Sequence, residues 1–414
     1  MKTPTIELIT EKSKLAEGTP QTIPVLLRIT PPAIETPTER PQMNLSLVLD
    51  RSGSMNGDKI EQAKLAAAHC VEQLLPADRM SVVIFDDRIE TLIPSAPTAN
   101  PELYKRLIGR IHVGGSTALH EAWVKGGIEV SEHLDDRRVN RVILITDGQA
   151  NVGETRTGTI VAQAGELAKK GVSTSTIGIG RDFNEELLVP MADAGEGNAW
   201  HVQEAGDMAR IFEAELGGAL NQFGREVSLR IVPRDGVRIT DVMNDFERDA
   251  AGGYVLPNLI SGRPLEIVVE AALPAGAAGE TLAAFDVELR FTDQRSAEHV
   301  TASATLSVEF ASVEAVDGLP EETAVREAIV LLANARARAE AIRDMDRGNY
   351  DAARQHVRAA HASTYALYSV LPSAAMFDEV SKLEAELSEL DSRDLDAMTR
   401  KKMRYAAELR RKGR

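Results

Sequence analysis

Between Asn44 and about Gly224, short apolar runs alternate with segments whose apolar residues recur every three or four positions. Residues 45–50 form one such run, ending on Asp50. Residues 57–75 follow, with Ile60, Ala63, Ala67, Val71 and Leu74 on one helical face. Residues 79–86, 141–147 and 172–180 read as further strands, and 199–202 as a short one. Residues 116–134, 158–171, 184–195 and 207–223 read as helices. So do residues 100–111, which Asn100 is placed to cap and where Pro101 fits the first turn. Apolar strands alternating with helices predict an α/β domain of Rossmann type, with a mostly parallel central sheet covered on both faces.

The flanks carry a different rhythm. Residues 5–10 and 22–30 read as strands, as do 226–232, 237–243, 264–273, 285–291 and 301–310. Alternation is clearest at Phe285, Val287, Leu289 and Phe291. The early strands cannot easily join a parallel sheet, and unpaired strands are unstable. They are therefore expected to pair with the later ones. That gives residues 1–40 as the first strands of a discontinuous β-sandwich, 41–224 as an inserted α/β domain and 225–315 as the rest of the sandwich. Residues 316–414 are rich in helix formers and predict a C-terminal helical region, its last helix basic.

Charge narrows the partners. The formal net charge of -16 across 414 residues disfavours nucleic acid or an anionic membrane surface. A single cysteine, Cys70, excludes an internal disulfide and fits a reducing compartment. No stretch reaches the roughly 18 apolar residues of a membrane span, and the first residues lack a leader-like apolar run. The expectation is a cytoplasmic protein.

The candidate chemistry sits at strand ends. Asp50 and Asp147 close two apolar runs, and ligands of open α/β sheets bind beyond the carboxyl ends of the strands. Ser52 and Ser54 follow Asp50 at alternate positions, so that all three can face one point. Thr117 opens a helix after a glycine pair. Carboxylates and hydroxyls suit a hard divalent cation: Mg²⁺ first, with Mn²⁺ or Ca²⁺ as alternatives. His120 reads as a rim residue rather than a ligand. Arg51 reads as solvated loop charge or, less readily, as a clamp for an incoming carboxylate. The glycines of residues 176–183 lack the third glycine of a phosphate cradle and read as a strand end turning into the next helix.

Asp50-Arg51-Ser52-Gly53-Ser54, Thr117 and Asp147-Gly148 together resemble the metal-ion-dependent adhesion site of von Willebrand factor type A (VWA) domains. The chain is similar to bacterial proteins in which such a domain is followed by β-rich and helical parts. The resemblance implies that Ser52, Ser54 and Thr117 coordinate the ion, and that Asp50 and Asp147 reach it directly or through water. It also implies an open coordination position for an acidic side chain of a protein partner. The expected function is a metal-dependent scaffold or adaptor, not an enzyme. The alternative is a Mg²⁺-dependent hydrolase using the same strand-end aspartates. Against it, haloacid-dehalogenase-type phosphatases carry a second aspartate where this chain has Ser52.

Overall fold

The computed structural model describes residues 3–33, 41–147, 151–180, 183–202, 207–234, 236–391 and 397–413. Contacts within it divide the chain into two compact units. One is drawn from residues 34–223 and 293–298, the other from 1–33, 224–292 and 299–414.

Three strands come first in the chain: β1 (Thr5–Thr10), β2 (Lys14–Ala16) and β3 (Gln21–Thr30). The α/β unit then runs β4 (Gln42–Asp50), α1 (Asp58–Gln73), β5 (Arg79–Phe85), β6 (Ile89–Pro97), α2 (Pro101–Gly109) and α3 (Leu119–Ser131). It continues through β7 (Arg138–Thr146), α4 (Thr157–Lys169), β8 (Ser173–Ile179), α5 (Glu185–Ala194), β9 (Glu196–Val202) and α6 (Asp207–Leu220). Its sheet has the order β6-β5-β4-β7-β8-β9. All pairings are parallel except β5 with β6. The fold is the Rossmann-like α/β sandwich that the alternating pattern predicts. In β4 every residue after Gln42 is buried, because helices cover both faces. On α1, Ile60, Ala63, Ala67 and Val71 lie in the core. Asn100 caps α2 by accepting the Leu103 N–H, with Pro101 in the first turn.

Strand β4 pairs with β5 on one side and β7 on the other. The strand order reverses there, and the carboxyl ends of β4 and β7 open a crevice between them. Asp50 is the last residue of β4, and Asp147 directly follows β7. Strand β6 is absent from the sequence reading. It is an antiparallel edge strand, largely exposed and interrupted by Pro94, so it carries no apolar run.

The second unit adds β10 (Gln222–Pro233), β11 (Arg238–Val242), β12 (Tyr254–Leu256), β13 (Leu259–Ile260), β14 (Leu265–Leu273), β15 (Thr281–Asp293) and β16 (His299–Ala311). Strand β3 lies between β1 and β14, with Leu27 opposite Leu8 on one side and Ile267 on the other. Strand β11 extends that sheet. The other sheet has the order β12-β10-β15-β16-β2, with β13 also on β10. Five helices complete the unit: α7 (Val313–Asp317), α8 (Thr323–Asp346), α9 (Tyr350–Val370), α10 (Ala374–Asp391) and α11 (Ala397–Arg411). Helix α8 packs on β3 and β14, burying Val325, Ala328 and Leu332 against Leu26 and Val268. The basic α11 lies along α8, where Arg400 pairs with Asp346.

Candidate metal centre

The loop after β4 is built as a platform. The Asp50 side chain is fully buried. Its Oδ1 accepts the Ser52 N–H (2.8 Å), and its Oδ2 accepts the Thr146 hydroxyl (2.5 Å). Residues Gly53–Met55 form a single 3-10 turn, closed by the Met55 N–H on the Ser52 carbonyl and anchored by the buried Met55 side chain. The turn raises Ser54 into solvent while Ser52 stays buried. The two hydroxyl oxygens lie 3.2 Å apart, and Ser54 donates to Asp147 Oδ1 at 2.7 Å. Four of the five expected residues, Asp50, Ser52, Ser54 and Asp147, are thus linked in one hydrogen-bonded cluster.

Thr117 reaches the same rim through the backbone. Gly53 N–H donates to the Gly115 carbonyl (3.0 Å), and Gly114 N–H donates to the Arg51 carbonyl (2.7 Å). Thr117 is buried, but among the described residues no hydrogen bond joins its hydroxyl to the other four side chains. Gly148 lies outside the described residues. The glycine pair before Thr117 passes close to two aspartate side chains. A Cβ on Gly114 would sit 1.9 Å from Asp86 Oδ2, and one on Gly115 2.4 Å from Asp87 Oδ1. Asp86 is buried, so Gly114 leaves little room for a side chain, whereas the exposed Asp87 can yield at Gly115.

Three positions around the candidate site escaped the sequence reading. Asn151 accepts the Thr117 N–H at 2.9 Å, and its own N–H donates to the Thr117 carbonyl, so it ties the loop after Asp147 to Thr117. Asp86 holds the other side, taking the Gly115 N–H at 3.4 Å and pairing with Arg51 at 3.2 Å. Lys59, in the first turn of α1, brings its ammonium onto Asp147 Oδ2 and the Ser54 carbonyl. Each lies far in sequence from its partner, and only the closeness of Asn151 to Asp147 in sequence offered a local signal.

One rim expectation changes. Arg51 is neither solvated nor open as a clamp: it pairs with Asp86 and, at 3.4 Å, with Glu90. His120 is tied to α4 by a 2.6 Å hydrogen bond between its Nε2 and Gln163 Oε1. The segment around Gly178 and Gly180 ends β8 and leads into α5, which Asn184 caps. Its Arg181 and Asp182 lie outside the described residues.

Burial dominates the electrostatics of Asp50. It pushes the carboxyl up to about 6, and the neighbouring Asp147 adds to the rise, against hydrogen bonds from Ser52 and Thr146. Burial raises the pKa because the buried charge has lost its water. In the metal-free fold, ionised Asp50 therefore costs stability above pH 6. That cost fades as pH falls toward the unfolded value of 3.8. An Asp50→Asn variant, melted in chelator, is expected to be more stable than the parent at pH 7. The gap should narrow by about 1 kcal/mol on going to pH 5. A gap that widens on acidification would show that the carboxylate is not under strain.

The donor set fits a small hard cation. Oxygens 2.7 and 3.2 Å apart bracket the edge of an octahedron, about 3.0 Å for ligands at about 2.1 Å. Among the described residues no group of three or more His, Cys, Asp and Glu side chains is placed to hold a metal ion, so the candidate set rests on two carboxylates and the hydroxyls. Ser52, Ser54 and Asp147 would hold the ion, with Thr117 on the adjoining loop and Asp50 supplying buried charge beneath.

Comparison with known proteins bears on the fold around this cluster. Residues 44–214 match the family model described as the von Willebrand factor type A domain. The uncharacterized protein sll0103 of Synechocystis is 29% identical over 174 residues, 41% of this chain and 40% of that protein. The chain therefore spans well under half of this relative. Among solved structures, a von Willebrand factor type A protein from Catenulispora acidiphila superposes with a TM-score of 0.69 at 17% identity, covering 98% of this chain and 97% of its own. The ArnB paralog VWA2 from Sulfolobus acidocaldarius gives 0.58 at 17% identity, with 98% and 99% covered. These two likenesses extend the shared fold beyond residues 44–214 to nearly the whole chain.

Proposed function

We propose, for a chain whose residues 44–214 form a von Willebrand factor type A domain, that it is a metal-dependent protein-binding scaffold. Mg²⁺ at Asp50, Ser52, Ser54, Thr117 and Asp147 engages an Asp or Glu of a partner. The observation that carries this reading is the cluster of Ser52, Ser54 and Asp147 oxygens at the mouth of the β4–β7 crevice, with Ser54 exposed. With Asp147 the one carboxylate that would touch the ion and Asp50 beneath it, the hydroxyl ligands bring no charge of their own and the ion keeps an affinity for a further anionic ligand. Such an ion attracts an external carboxylate. The spacing of the oxygens favours Mg²⁺ or Mn²⁺ over Ca²⁺, whose longer bonds need a wider cage.

The hydrolase alternative fares worse on geometry. Its nucleophile would be Asp50, which is fully buried with both oxygens accepting hydrogen bonds from the chain. A nucleophile must reach its substrate.

The test is a pull-down from cells of the source organism on immobilised chain. A bound protein should elute with chelator and rebind with Mg²⁺. Thr117→Ala should weaken its capture about tenfold or more, as should loss of one acidic residue of that protein. Mg²⁺-dependent turnover of a phosphoester, lost in Asp50→Ala, would instead establish the hydrolase.

A further inference from the structure

The search of the molecule converges on Lys59. Its ammonium touches the second oxygen of Asp147, whose side chain is wholly buried, while Ser54 donates to the first. The same nitrogen donates to the Ser54 carbonyl at 3.2 Å. Both oxygens of Asp147 are therefore capped from the segment between Ser54 and Lys59. Arg51, the other cation of the loop, is taken by Asp86 and Glu90. Among the described residues Lys59 is the cation paired with Asp147. The turn at Gly180, whose positive φ favours glycine, passes close to the lysine stem: a Cβ there would lie 3.1 Å from Lys59 Cε.

We infer that Lys59 is a resident counter-cation of the metal centre. Its ammonium holds Asp147 while the ion is out and gives it up when the ion comes in. The inference rests on the metal reading above. A divalent ion on Asp147 and an ammonium in contact with the same carboxylate repel each other. Exchange follows. The lysine thus lowers affinity for the ion and keeps the buried carboxylate paired when no ion is present. With its side chain about one-third exposed, Lys59 has a path into solvent when displaced.

Titration calorimetry with MgCl₂ and MnCl₂ tests this on the full chain and on Lys59→Met. The variant should bind the ion at least tenfold tighter. It should also melt at a lower temperature than the parent in chelator and recover in saturating Mg²⁺. Lys59→Arg, which keeps the charge, should stay near the parent affinity. Should Lys59→Met be too unstable without metal, the parent alone provides a readout. Acetylation of Lys59, followed by mass spectrometry under limiting reagent, should run several-fold faster in Mg²⁺ than in chelator. Equal or weaker ion binding by Lys59→Met, or Mg²⁺-independent acetylation, would overturn the inference and make Lys59 a mere positioner of Asp147. A parent chain that takes up neither ion would overturn the metal reading itself, and this inference with it.

Discussion

Asp50→Ala should lose measurable binding of Mg²⁺ and Mn²⁺, a drop of at least a hundredfold, while the fold survives. Asp50 is one of only two carboxylates in the cluster, and at close range a single charge is worth several kcal/mol to a divalent ion, about 8 kcal/mol at 4 Å and an effective dielectric of about 20. Survival of the fold follows from the burial that lifts the Asp50 carboxyl to about 6. The metal-free fold bears that buried charge at a cost, and alanine removes it. The Ser52 N–H and the Thr146 hydroxyl lose an acceptor in exchange, a penalty of about 1–3 kcal/mol each at most. These terms oppose one another, so the melting temperature in chelator should move little. The separation appears when Mg²⁺ is added. The parent should gain about 2.7 kcal/mol when the ion reaches a hundred times its dissociation constant, and the variant nothing. A variant that still responds to the ion would remove Asp50 from the site. A variant that fails to fold even without metal would give Asp50 a structural role instead.

How much of this was legible beforehand depends on how local each signal was. Alternating apolar runs and helical faces give the α/β unit directly, because a strand buried on both faces needs an unbroken apolar stretch such as Leu45–Leu49. The Asn100 cap and Pro101 are equally local. Strand β6 was not readable: an exposed edge strand needs no apolar period, and Pro94 argued against it. At the site, Asp50, Ser52 and Ser54 are spaced so that their meeting can be foreseen. The supports are different. Lys59 and Asp147 are 88 positions apart, and the Asn151–Thr117 bond spans 34. Arg51 was misjudged for the same reason, since its partners Asp86 and Glu90 arrive on another strand connection. Composition cannot reveal that a charge is already paired. The same holds in the α/β core, where Glu215 on α6 accepts from Arg141, Ser175, Asn198 and Trp200, all from neighbouring strands.

Arg338→Met should be the most damaging single change in the helical part of the chain. The Arg338 guanidinium is completely buried on α8 and faces two glutamates of α10. Its Nε donates to both oxygens of Glu386 at 2.9 and 3.0 Å, and Nη1 donates to Glu379 at 2.6 Å. Asn334 joins Glu379 to Thr364 of α9, so that one network crosses three helices. Burial works against the guanidinium's charge, but the two carboxylates hold it protonated above its ordinary value. Burial pushes the Glu386 carboxyl up against the pull of Arg338, and Glu379 beside it pushes the same way. With methionine in place of arginine, two carboxylates face each other with no cation between them. Removing one partner of a buried ion pair costs about 3–5 kcal/mol, a large share of what a domain has. Urea melts followed by helical circular dichroism should show that loss at pH 7.5. The pH dependence has a definite sign. Burial raises the Glu386 carboxyl, so protonating it removes a stranded charge, and the deficit of Arg338→Met should shrink as pH falls. Replacing all three charges together, with Glu379→Leu and Glu386→Leu added to Arg338→Met, should restore most of the stability, because the ions' desolvation cost disappears with them. A deficit below 1 kcal/mol for the single variant, or one that grows on acidification, would mean that the network does not carry ionised groups in the core.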